Sequence, residues 1–325
     1  MILVTGGGGF IGSVLVHDLN RGGHEDILIV ERKLAEHKCR NIQDLKYSKY
    51  IEYDQLFSEE NTSLLDQVTE IYHMGACSST TERNMEFLKE NNVEFSKRLF
   101  ELALKKDIPF IYASSAATYG DGSKGYNDSS IEGLEPLNPY GLSKQLFDEW
   151  VLEQKETPSV WFGIKFFNVF GPNEYHKGSM MSLACKAYSQ IQETGKVILF
   201  KSHHPDFADG EQTRDFVYVK DVTRAMIELR KNGSNCGIYN LGTGKGNHFK
   251  YFVECVFKAL GKEMNVEFIP TPESIRDQYQ YFTEANMERF SKTLPDFKFL
   301  SLEEAVKDYV QNHLDTDNPY MSSKA

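Results

Sequence analysis

The chain has 325 residues, 40% of them hydrophobic, and a formal net charge of -11. That length and composition suit one large core or two modest ones, and the negative charge argues against nucleic acid or an anionic membrane as the main partner. No apolar run approaches membrane-spanning length, and MILVTGG leads straight into a strand and a glycine turn instead of a signal peptide. The five dispersed cysteines (Cys39, Cys77, Cys185, Cys236, Cys255) form no C-x-x-C pair, so a cytoplasmic protein with reduced thiols is expected.

In chain order, apolar and β-branched runs predict strands over Ile2 to Thr5, Ile27 to Glu31, Ile71 to His73, Pro109 to Ala113 and Phe162 to Asn168. Between and after them, apolar residues recurring at three and four predict helices over Ile11 to Asn20, Asn92 to Lys106, Tyr140 to Gln154 and Met180 to Thr194. Gly120 to Ser130 is too polar and glycine-rich for core and reads as a loop over a site, and His203 to Thr213 reads as irregular. The pattern is α/β: a Rossmann-like doubly wound parallel sheet over residues 1–168, then a smaller mixed α/β substrate-binding domain over 169–325. Segments near 215–245, carrying DFVYVKDV and IYNLGTG, are expected to return to the first domain.

In TGGGGFIG, Gly6, Gly9 and Gly12 stand three apart between a strand and a helix. Gly6 would permit the tight turn, Gly9 the close approach of backbone to a pyrophosphate, and Gly12 the packing of helix on strand, with the helix N-terminus facing the negative charge. Glu31 ends the second strand where a ribose-binding acid belongs and favours NAD, whereas Arg32, Lys33 and Lys38 suit the 2′-phosphate of NADP.

Tyr140 and Lys144, in NPYGLSK, share one face of a helix, and SSAATYG follows a strand. A phenol titrates near 10, and bringing it to about 7 takes roughly 4 kcal/mol, which a neighbouring ammonium and a cationic nicotinamide could supply. Ser115 is the candidate hydroxyl to orient a substrate alcohol beside Tyr140, although serines after a strand often only cap a turn.

These motifs, with FNVFGP at Phe167 to Pro172, resemble the extended short-chain dehydrogenase/reductase superfamily. HMGACSSTTE, YASSAATYG, FNVFGPNEYHKGSMMS and RDFVYVKDV are similar, more narrowly, to the ADP-L-glycero-D-manno-heptose 6-epimerase family, with HKGSM the discriminating segment. The resemblance implies that Tyr140 and Lys177 are the two acid/base groups, assisted by Lys144 and Ser115, and that a sugar is oxidised to a 6-ketone and reduced on its opposite face. A phosphate-binding role is the rival for Lys177. It assigns Phe10, Ile11, Glu31, Arg32, Lys38, Met74, Gly75, Ala76, Cys77, Ser78, Asn91 and Lys144 to a cofactor that is generally NADP, with NAD kept open by Glu31. Ser115, Asn168, Lys177, Ser179, Lys186, Phe200, Arg214 and Tyr279 would hold ADP-heptose, a precursor for lipopolysaccharide core. It also implies a homo-oligomer, a pentamer or a pair of pentamers. Three departures stand out: Lys186 in place of a histidine, Met74 in place of a glutamate, and a long HHPDFADGEQT stretch. UDP-hexose 4-epimerisation and a non-catalytic dinucleotide sensor are the alternatives; dehydration is disfavoured because Ser115 is followed by Ala116, Ala117 and Thr118 in place of an acid pair.

Overall fold

Short β-branched runs separated by amphipathic stretches dictate a parallel sheet covered on both faces, and the computed structural model, which describes residues 1–32, 36–276 and 280–324, contains one. Its strands in chain order are β1 (Ile2–Thr5), β2 (Ile27–Glu31), β3 (Lys49–Glu52), β4 (Glu70–His73), β5 (Phe110–Ser115), β6 (Trp161–Phe166), β7 (Asn168–Phe170), β8 (Val197–Phe200), β9 (Thr213–Tyr218), β10 (Gly237–Leu241), β11 (Gly246–His248) and β12 (Val266–Ile269). Seven form the main sheet, in the order β10-β6-β5-β4-β1-β2-β3 and parallel throughout. The order reverses between β1 and β4, which leaves a crevice outside their carboxyl ends, where ligands bind in such sheets.

The two-residue period of a strand divides the core. Ile2 and Val4 pack with Ile27, Ile29 and Ile164 against Leu15 and Leu19 of α1 (Phe10–Arg21) and against Met226 and Leu229 of the helix Val219–Asn232. Leu3, Leu28, Val30 and Ile71 face the other way, toward Leu99 and Phe100 of the helix Phe95–Lys106 and Phe147 and Val151 of the helix Pro139–Leu152. A separate cluster, including Ala187, Ile191, Phe216, Phe252, Val256 and Tyr309, unites the smaller sheets β11-β9-β7 and β12-β8 with their helices.

Three expectations are corrected in whole or in part. The strand expected to run from Phe162 to Asn168 ends at Phe166, and Asn168 opens β7, which pairs with β9 in another sheet. FFNVF thus serves two sheets, and its one polar residue, the exposed Asn168, stands at the break. DFVYVKDV divides: β9 pairs with β7 and β11 outside the main sheet, whereas the helix that begins within it at Val219 packs on α1, with Val217 and Val222 in the main sheet's core. The Ile238 segment does return, as β10 beside β6. The helix expected from Met180 starts at Leu183, because Ser182 caps it by accepting from the Cys185 N–H.

Candidate active site

The glycine turn is closed by steric necessity. Gly6 has a φ of 67°, and a Cβ there would lie 2.7 Å from the Gly75 backbone. A Cβ on Gly12 would lie 2.2 Å from the Gly6 carbonyl oxygen, so α1 can approach β1 only without one. The turn is braced by Thr5, whose hydroxyl accepts from the Gly75 N–H at 2.9 Å and meets His73 Nδ1 at 2.6 Å. Burial, assisted by the Lys144 charge, holds His73 neutral down to about pH 3, which makes it a strut between Thr5 and Ser96.

At the end of β2, Glu31 Oε1 accepts from the Arg32 N–H at 3.0 Å and from Lys38 Nζ at 3.3 Å. Its Oε2 is buried and has no hydrogen-bond partner among the described residues, a state that costs free energy unless a ligand supplies a donor. Arg32 donates through Nε to Asn91 Oδ1 at 3.0 Å, and its guanidinium lies 4.9 Å from the Tyr53 ring centre and 4.8 Å from that of Phe87. Glu31, Arg32, Lys38, Cys77 and Asn91 line this cavity of about 240 Å³. The orphan carboxylate oxygen beside a glycine cradle fits the ribose of a nicotinamide dinucleotide. Lys33 lies outside the described residues, and the aromatic pair Tyr53 and Phe87 had no local motif to announce it.

A second cavity, of about 290 Å³, continues from the first. Gly6, Gly9, Phe10, Ile11, Gly12, Met74, Gly75, Ala76 and Ser78 line it together with Ser115, Tyr140, Lys144 and Lys177. Asn138 starts the helix of Tyr140 by accepting from the Gly141 N–H at 2.8 Å, and Pro139 occupies the first turn, where no N–H is needed. Gly141 permits close contact, since a Cβ there would lie 2.8 Å from the Ala117 carbonyl oxygen. Asn92, which sequence reasoning passed over for Asn91, clasps Cys77 through N–H and C=O at 2.8 and 3.0 Å and donates to Ser143 Oγ at 2.9 Å. It thereby ties the Met74 to Ser78 loop to the Tyr140 helix.

The electrostatics differ from the expectation. Burial holds the Tyr140 phenol above its ordinary range, and the Ser115 hydroxyl only partly opposes this. Lys144 Nζ donates to the Ala113 carbonyl oxygen at 2.8 Å, and burial pulls its pKa down to about 8 against the pull of Asp148. The protein's own groups therefore do not acidify the phenol. Ser115 does cap a turn, accepting from the Ala117 N–H at 3.1 Å, and its hydroxyl retains capacity for a partner in the cleft. Beneath these groups Asp148 accepts from Lys165 Nζ at 2.9 Å, Tyr112 at 3.0 Å and Ser114 at 2.7 Å, all fully or nearly fully buried.

Lys177 lies on the turn Tyr175–Met180, with Nζ 5.1 Å from the Phe10 ring centre. Burial lowers its pKa, Glu174 opposes this, and Lys186 reinforces it. Glu174 shapes the turn by accepting from the Ser182 hydroxyl at 2.6 Å and Tyr309 at 3.0 Å. His176 and Met180 also line the cleft, though neither was singled out from sequence.

The expected sugar-binding residues do not line this cavity, apart from Ser115 and Lys177. Asn168 is exposed between the cleft-lining Phe167 and Val169. Ser179 and Lys186 are exposed, and Phe200 ends β8. Arg214 donates to the Thr213 and Gln280 carbonyls and lies 5.6 Å from the Phe249 ring centre. Tyr279 lies outside the described residues.

A larger cavity of about 890 Å³ lies between α1, the helix Val219–Asn232 and the C-terminal segment. Its carboxylates Asp18, Asp221, Asp308 and Glu70 each meet a wall cation or imidazole, so it presents no reacting group. Among the described residues no His, Cys, Asp and Glu group could hold a metal ion, and no helix is long and apolar enough to cross a membrane.

A crevice at the strand reversal, a glycine cradle, and half-buried Ser115 beside buried Tyr140 and Lys144 are the features of a nicotinamide-dinucleotide enzyme. The chain belongs to the NAD dependent epimerase/dehydratase family, whose model matches residues 2–242. It is 46% identical to an ADP-L-glycero-D-manno-heptose-6-epimerase of Fusobacterium nucleatum, over 99% of this chain and 100% of that one. It is 45% identical to the protein of the same name from Nitratidesulfovibrio vulgaris, with the same coverage. The crystal structure of the Helicobacter pylori ADP-L-glycero-D-manno-heptose-6-epimerase superposes with a TM-score of 0.81 at 29% identity, covering 96% of this chain and 95% of that one.

Proposed function

We propose that this chain interconverts ADP-D-glycero-D-manno-heptose and ADP-L-glycero-D-manno-heptose by inverting C6, with NADP as the preferred dinucleotide. The observation that carries the reading is the two-sided cleft, with Ser115, Tyr140 and Lys144 along one wall and Lys177 by Phe10 on another. Full-length similarity to enzymes named for this sugar supports the substrate.

Hydride acceptance and return is the chemistry a bound nicotinamide supplies. The chain's own groups handle the protons and the poses. Tyr140 takes the hydroxyl proton in one pose of the sugar, and Ser115 orients the same oxygen. Lys144, anchored on Ala113, lends positive charge to this wall. Inversion requires the carbonyl sugar to turn over, so an acid/base group is needed for the second pose, and Lys177 fills that part. Its lowered pKa brings proton release nearer the working pH. Glu31 would receive the ribose 3′-hydroxyl on Oε2. Arg32, held between Tyr53 and Phe87, and Lys38, paired with Glu31, support a 2′-phosphate over a bare hydroxyl.

The test is incubation with ADP-D-glycero-D-manno-heptose, following C6 configuration by NMR, with UDP-galactose as the control. Inversion of the heptose is expected. Turnover of UDP-galactose alone would overturn the reading.

A further inference from the structure

The acid/base group on the second wall stands on a short turn, and a turn needs something to hold its distance from the dinucleotide loop. Asn41 lies in α2 (Glu36–Ile42) and is 1% exposed. Its side-chain amide nitrogen donates to the Gly8 carbonyl oxygen at 3.1 Å and the Asn173 carbonyl oxygen at 3.2 Å, and it meets His176 Nδ1 at 3.2 Å. Gly8 belongs to the glycine loop; Asn173 and His176 flank the start of the turn that carries Lys177. Two carbonyl acceptors fix which end of the amide is nitrogen: its two N–H groups serve the Gly8 and Asn173 carbonyls, and His176 Nδ1 lies against the same nitrogen. The Asn41 oxygen is buried with no hydrogen-bond partner among the described residues, so the amide is placed for what its nitrogen holds. Asn173 extends the tie by donating to Ser13 Oγ in α1 at 2.9 Å and accepting from the Met321 N–H at 3.0 Å.

We propose that Asn41 is a positioning residue for the second acid/base group: by joining the glycine loop to the His176–Lys177 turn, it sets where the Lys177 ammonium stands relative to the bound dinucleotide. This rests on the two-sided reading of the cleft. Asn41→Asp keeps the shape and replaces the donor with an acceptor facing two carbonyls, so the tie becomes repulsive while the volume is unchanged.

The experiment mixes NADP-loaded enzyme with each heptose epimer separately and follows reduced nicotinamide in a single turnover, for wild type, Lys177→Ala and Asn41→Asp. Asn41→Asp is expected to slow oxidation of the same epimer that Lys177→Ala slows, on the order of 100-fold for a displacement near 1 Å, with the other epimer and NADP affinity nearly unchanged. Lowering the pH should restore part of the rate, since a protonated carboxyl regains one donor. Asn41→Ala introduces no charge and is read the same way, without the pH rescue. Equal slowing of both epimers, or a lowered melting temperature with both rates intact, would overturn the proposal. Failure of the wild type to interconvert the epimers would instead count against the functional reading beneath it.

Discussion

Lys144 Nζ donates to the carbonyl oxygen of Ala113 at 2.8 Å, and Ala113 lies two residues before Ser115 on β5. The ammonium is thereby fixed to the strand that carries the serine, so the Tyr140 helix and β5 are registered by a buried charge. Its burial brings the pKa from 10.5 to about 8, a penalty on the charged form of about 3 kcal/mol. Below pH 8 Lys144 is charged in folded and unfolded chains and the penalty is fully present. Between about 8 and 10.5 the unfolded chain keeps a proton the native protein has lost, so this group makes stability rise with pH. Lys144→Met should therefore raise the melting temperature at pH 7 in the absence of dinucleotide, by an amount that shrinks above pH 8, while abolishing turnover. Calorimetry at pH 7 and 9.5 measures both limbs.

Tyr140→Phe removes the proton acceptor and leaves the hydrophobic ring in place. Turnover should fall at least 100-fold, the lower end of general acid–base contributions. NADP affinity, read by fluorescence titration, should stay within a few-fold. Retained turnover would remove Tyr140 from its assigned role.

Arg32→Ala takes away a guanidinium held by Asn91 and two aromatic rings, without touching Glu31. Affinity for NADP should drop about tenfold or more, as expected for loss of a charge-assisted contact, and affinity for NAD should change little. Parallel titrations with the two dinucleotides decide it, and equal losses would mean that Arg32 does not read the 2′-phosphate.

Asp148→Ala leaves Lys165 buried without its carboxylate and strips Tyr112 and Ser114 of their acceptor. Breaking such a buried pair destabilises by about 3–5 kcal/mol. Urea denaturation should show this loss. Lys165→Met, which leaves the acid side uncompensated, should be similarly damaging.

The parts of the site legible in sequence are those whose chemistry is local. Gly6, Gly9 and Gly12 announce a turn through their spacing, and Tyr140 and Lys144 share a face because a helix repeats there; all five line the cleft. What spacing does not encode is where a charge ends up. An ammonium and a cationic nicotinamide together were expected to acidify the phenol; in the protein alone the ammonium is held by a backbone carbonyl and burial dominates Tyr140. Nor does local sequence announce contacts between distant segments: Arg32 is sandwiched by Tyr53 and Phe87, and Asn92 grips Cys77. The fold shows the same division. Alternating strand and helix patterns revealed the parallel sheet, but the change of sheet at Phe167 is marked only by the single polar Asn168 within FFNVF.

That change of sheet also divides the cleft. β6 and β10 are parallel neighbours joined through the helix Val219–Asn232, the ordinary form of a crossover. Residues 167–218, with β7, β8 and β9, are an excursion inserted between the strand and that helix. The turn bearing Lys177 lies inside the excursion, whereas Ser115, Tyr140 and Lys144 lie outside it. One wall of the cleft is therefore scaffold and the other is insert. Changes within the insert therefore reshape one wall of the cleft while β5 and the Tyr140 helix keep the other as it is.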